Sequence, residues 1–89
     1  MNIPPSFTVK YFAWLREIIG VSEEQIYLPP KVNTIDALID HLISKDEKYQ
    51  RAFEKRDLIQ VAVDQEKTNV SHSLTGIKEI AFFPPMTGG

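Results

Sequence analysis

The group in this chain whose surroundings suggest chemistry stands at the end of Phe82-Phe83-Pro84-Pro85-Met86-Thr87-Gly88-Gly89. This string passes from an apolar, strand-like pair through two prolines to a diglycine. Proline has no backbone N–H to give to a sheet ladder and holds φ near that of an extended chain, so a strand through Phe82 must stop at Pro84. Beyond the prolines no side chain is large enough to pin the backbone. The expected result is a tail that is stiff at Pro84 and Pro85 and mobile from Met86 through Thr87 to Gly88 and Gly89. Six residues reach ~20 Å at most, enough to thread a narrow channel in another protein. Glycine has no Cβ to strike a channel wall and accepts backbone angles that other residues refuse. The tip would deliver the α-carboxylate of Gly89, which is ionised at neutral pH. A carboxylate is a poor electrophile until its oxygen becomes a good leaving group, for example by adenylation with ATP.

Other residue types offer little chemistry. There are no cysteines, which excludes a disulfide framework, a thiolate metal site and a cysteine nucleophile. Any sulfur handled here must be brought by another molecule. His41 and His72 are the two histidines. Neither has a second ligand set nearby in sequence, so solvated or core-edge roles are expected and no metal or bound cofactor is. The serines and threonines form no arrangement with a histidine and a carboxylate, and no complete active site can be assembled. Lys10, Arg16, Lys55, Arg56 and Lys78 are surface charges able to guide an acidic partner. A formal net charge of −2 gives no broad basic field for nucleic acid. No apolar run approaches membrane-spanning length, and the first residues lack the basic and apolar regions of a signal peptide. A cytoplasmic protein is expected.

The elements that must carry the tail follow from periodicity. At 89 residues one domain is expected, the folded part over 1–83 and the tail over 84–89. Met1–Pro5 reads as a short extended leader. Phe7, Val9 and Tyr11 alternate with Thr8, Lys10 and Phe12, a strand with the first set inward and Phe12 on the outer face. Ala13 to Gly20 reads as a short helix with Gly20 just past its end. Ser22 to Leu28 is a second strand, ended by Pro29-Pro30. Asn33 or Thr34 caps a longer helix whose apolar stripe is Ile35, Leu38, Ile39 and Leu42. Tyr49, Ala52 and Phe53 suggest a short helix or turn within the charged stretch from Lys45 to Asp57. Leu58 to Val63 is a strand, Asp64 to Lys67 a polar turn and Thr68 to Val70 a return strand. A loop with Leu74 as its buried anchor leads to a last strand, Glu79 to Phe83, with Ile80 and Phe82 inward and Phe83 outward. One amphipathic helix covering one sheet makes a two-layer α+β domain. By fold-level analogy this is the β-grasp arrangement, a mixed sheet with the last strand parallel to the first at its centre. Phe12 and Phe83 would then be neighbours on the outer face, an aromatic patch beside the tail.

From Val9 to Gly89 the chain resembles the small subunit of molybdopterin synthase, a ubiquitin-like sulfur carrier. The resemblance rests on Tyr11-Phe12-Ala13, Leu15-Arg16-Glu17, Thr34-Ile35-Asp36-Ala37-Leu38, Leu74-Thr75 and, above all, Glu79-Ile80-Ala81 running into the terminal string. It implies that an activating enzyme uses ATP to adenylate Gly89 and that a sulfur donor converts the adenylate to a thiocarboxylate. It implies too that the tail enters the large subunit, in an assembly of two small and two large subunits, and gives sulfur to a pterin precursor for the molybdenum cofactor. The chain would be a non-catalytic, sulfur-donating subunit with no bound cofactor. Phe12 and Phe83 would face the partner, with Arg16 and Lys67 at further contact positions. Two features depart from the family pattern. Gly76-Ile77-Lys78-Glu79 stands where Gly-Asp-Glu is usual, and Lys67 stands where an apolar contact residue can occur. Three other roles share the same residues: a carrier for thiamine or nucleoside thiolation, a modifier conjugated to lysines, and an interaction module using the aromatic patch alone.

Overall fold

The computed structural model describes residues 6–29 and 31–85. The expected leader, Met1–Pro5, and the part of the expected mobile tail over Met86–Gly89 lie outside them. The elements are β1 (Ser6–Tyr11), α1 (Trp14–Ile19), β2 (Glu23–Tyr27), α2 (Ile35–Lys45), α3 (Glu47–Ala52), a 3-10 turn (Arg56–Leu58), β3 (Gln60–Val63), β4 (Glu66–Thr68) and β5 (Glu79–Phe83). The sheet order is β2-β1-β5-β3-β4. β5 is central, parallel to β1 and antiparallel to β3. This mixed sheet, with one main helix laid on it, is the β-grasp fold.

Strand alternation builds one wall of the core. Phe7, Val9 and Tyr11 from β1, Ile80 and Phe82 from β5, and Val61 and Val63 from β3 are all buried. α2 supplies the other wall, with Ile35, Leu38, Ile39 and Leu42 buried at helical spacing. Thr34 caps this helix, its Oγ1 accepting from the Ala37 N–H at 3.2 Å. Tyr49, Ala52 and Phe53 close one end of the core, and the Phe53 ring meets Phe82 edge-on at 5.1 Å. Gly20 ends α1 at φ 94°, its N–H donating to the Arg16 carbonyl at 2.8 Å. A side chain resists that backbone angle, and glycine does not.

Two boundaries differ from the sequence expectation. β3 begins at Gln60, and Leu58 belongs to the 3-10 turn. The Asp64 N–H donates to the Glu79 carbonyl, so in this register ladder bonds fall at Asp64, Ala62 and Gln60, and the next would set Leu58 against Pro85, which has no N–H to give. The chain instead turns, with the Ile59 N–H donating to the Arg56 carbonyl at 3.1 Å. The β3–β4 connection is also shorter than Asp64 to Lys67. Asp64 and Gln65, at φ 47° and 75°, form a two-residue turn of the kind that matches strand twist. This draws Glu66, Lys67 and Thr68 into β4 and leaves Val70 outside it.

Candidate functional site

The sheet face away from α2 is set by register. Lys10 lies beside Ala81, Ala81 beside Ala62, and Ala62 beside Lys67. Phe83 projects from the same side of β5, half-buried, one residue before Pro84. The β1–β5 ladder extends past Tyr11 and Phe82 through the Phe12 N–H, which donates to the Phe82 carbonyl at 3.1 Å. Phe12 is therefore the neighbour of Phe83, and it is 45% exposed. Among the expected contact residues, the structure brings Phe12, Phe83 and Lys67 to this face. Arg16 lies elsewhere, at an exposed position of α1, which packs against α3 in the helical layer.

Phe12 is held on both sides. Its carbonyl accepts from the Leu15 N–H at 3.2 Å, closing a tight turn that swings the chain into α1. Ala13 occupies the demanding position of that turn, at φ 54° and ψ −128°, a region that residues with a Cβ rarely enter. Together the ladder bond and the turn fix the backbone at the aromatic patch.

Behind the patch is a polar cluster that the sequence reading missed. The hydroxyls of Tyr11 and Tyr49 both donate to Glu24 Oε2, at 2.7 and 2.6 Å. Burial, and then the hydrogen bond to the Glu24 carboxylate, push both tyrosines above their ordinary value. The cluster joins β1, β2 and α3. A signal for it was present in the sequence: Glu24 and Ile26 share a strand face, which puts an acid on the core side.

The cations sort into paired and unpaired. Arg56, one of the surface charges expected to be able to guide an acidic partner, is engaged within the fold. Its Nη1 donates to Asp40 Oδ1 at 2.7 Å and its Nη2 to the Asp36 carbonyl at 2.9 Å. Lys10 pairs with Glu79 at 3.1 Å. In the departing loop, the Lys78 and Glu79 N–H groups donate to Asp64 Oδ1 at 3.1 and 2.9 Å, so the replacement of an acid by lysine leaves the backbone of this junction tied down. His41 is half-buried on α2 and His72 is exposed. No group of three or more possible metal ligands occurs among the described residues.

The described residues thus contain the root of the expected tail, not its tip. Pro84 and Pro85 leave the central strand half-buried and outside the ladder. Met86, Thr87, Gly88 and Gly89 lie beyond the described residues. No described helix is long and apolar enough to cross a membrane.

Comparison with known proteins gives consistent matches. The model of the ThiS family matches residues 9–89. A molybdopterin synthase sulfur carrier subunit from Haemophilus influenzae is 41% identical over 81 residues, covering 91% of this chain and 96% of the relative. The protein of the same name from Escherichia coli is 35% identical with the same coverage. Among solved structures, SAMP1 from Haloferax volcanii superposes with a TM-score of 0.70 at 26% identity, covering 96% of this chain and 100% of that one.

Proposed function

Because this chain belongs to the ThiS family, as a relative of the molybdopterin synthase sulfur carrier subunits, we propose that it carries sulfur on Gly89 as the small subunit of a molybdopterin synthase. In the cytoplasm, where this chain is placed on this reading, an activating enzyme joins the Gly89 carboxylate to AMP from ATP, releasing pyrophosphate. A sulfur donor then displaces AMP and leaves a thiocarboxylate. Pro84, Pro85, Met86, Thr87 and Gly88 lead this group into the large subunit, where its sulfur bonds to a pterin precursor and water cleaves the Gly89 C–S bond, returning the carboxylate. Two small and two large subunits make up the assembly. This chain catalyses nothing alone.

The observation that carries the reading is the geometry at the tail root. The central strand presents Phe83 beside the exposed Phe12 and runs directly into Pro84, so one docking event on that face aims everything after it. Removing Gly88 and Gly89 should abolish sulfur transfer in a reconstituted synthase. The core among the described residues closes at Phe82, so the same deletion should change unfolding free energy by no more than about 0.5 kcal/mol. A large stability loss would make the tail a structural element and count against the reading.

The likeness to SAMP1, a protein also described as a small archaeal modifier, favours a second reading, in which Gly89 is joined to lysines of other proteins. Isopeptide-linked adducts in cell extracts, without a thiocarboxylate, would favour it. The reverse pattern favours the carrier.

A further inference from the structure

A groove of about 250 Å³ lies between α1, α3 and the 3-10 turn, walled by Trp14, Ile18, Ala52 and Leu58. Trp14 is fixed as a wall, its Nε1–H reaching the Ala52 carbonyl at 3.4 Å. Leu58 is 49% exposed, a large apolar side chain left half in water by the 3-10 turn that replaces its ladder position opposite Pro85. The groove opens at the sheet end where the tail departs. Leu58 is two residues before Gln60, the partner of Phe83, and Trp14 is two residues after Phe12. Arg51 and Lys55 line the groove with Glu54. Among the described residues neither cation forms an ion pair. Two unpaired cations against one acid on a chain of net charge −2 make this a locally basic rim around an apolar floor.

We infer that this groove is a second docking point for the large subunit, resting on the reading that the large subunit receives the tail. Its occupant is a large apolar side chain flanked by carboxylates, the apolar group against Trp14 and Leu58 and the carboxylates against Arg51 and Lys55. A protein that encloses the tail just after Pro85 must wall this end of the sheet, and the groove continues the Phe12–Phe83 patch around that end. Two anchors on different elements fix the orientation of the carrier as well as its affinity. Orientation is what a short tail needs if its tip is to meet one atom.

The chain has one tryptophan, so 5-fluorotryptophan labelling places one fluorine resonance in the groove. Titration with the large subunit from the same organism should shift that resonance. Leu58→Gln and Arg51→Glu should each weaken binding about tenfold, the size of an interface anchor, with unchanged melting temperature because both residues are exposed. Phe83→Ala tests the main patch in parallel. An unmoved resonance, or either groove variant binding within about twofold of the parent while Phe83→Ala loses affinity, would overturn the second docking point and leave the carrier reading standing. A parent chain that does not bind the large subunit would overturn both.

Discussion

Glu24 takes two tyrosine hydroxyls on one carboxylate oxygen, and that sets its weight in the fold. Removing the acceptor leaves two buried donors unpaired, at about 1–3 kcal/mol each. Glu24→Ala should therefore lower the urea midpoint strongly, and Glu24→Gln, which keeps an acceptor, much less. The tyrosines also give a pH dependence. Both are raised above the ordinary value of 10.0, so the folded state keeps protons that the unfolded chain releases. Their contribution is fully present below that value and is lost as pH rises above it. Denaturation followed from pH 8 to 11 should show stability falling above about pH 10, with a smaller fall in Tyr49→Phe. Ala13 works in the opposite direction. Its backbone angles lie in a sparsely populated region that costs about 1–3 kcal/mol, while a glycine would lose about 0.4–1 kcal/mol to the freer unfolded chain. Ala13→Gly should raise stability by about 1 kcal/mol by these two terms, read as a higher melting temperature.

At the scale of elements, α2 is both the cover of the sheet and the part most legible in sequence. Its stripe and its Thr34 cap are local signals, and Thr34→Ala should cost about 1 kcal/mol by chemical denaturation. β1 and β5 were legible for the same reason, since alternation is written within six residues. The boundaries that sequence missed depend on distant partners. β3 starts late because Pro85 stands at the next bonding position of the ladder, opposite Leu58. The β3–β4 turn is tight, and Asp64 within it spends its carboxylate on the backbone of Lys78 and Glu79, fourteen and fifteen positions away. The pairing of Arg56 with Asp36 and Asp40 was not legible because the carboxylates reach it only after α2 is laid on the sheet. The patch at Phe12 and Phe83 lies between these cases: alternation gave each residue its face, and topology made them neighbours.

On the proposed reading the described residues are a mount for one carboxylate. The sheet fixes the direction of Pro84, the turn at Ala13 fixes Phe12, and the two aromatics are the surface proposed to meet the partner. Phe83→Ala should weaken binding to the large subunit by about 1–2 kcal/mol and leave the loading of Gly89 chemically possible. The central claim is that loading, and the direct measurement is the intact mass of the chain after incubation with its activating enzyme, ATP and a sulfur donor. The account predicts a gain equal to exchanging one oxygen for one sulfur, localised to Gly89 and absent from a chain lacking that residue. An unchanged mass, with an activating enzyme shown to load another carrier, would contradict it.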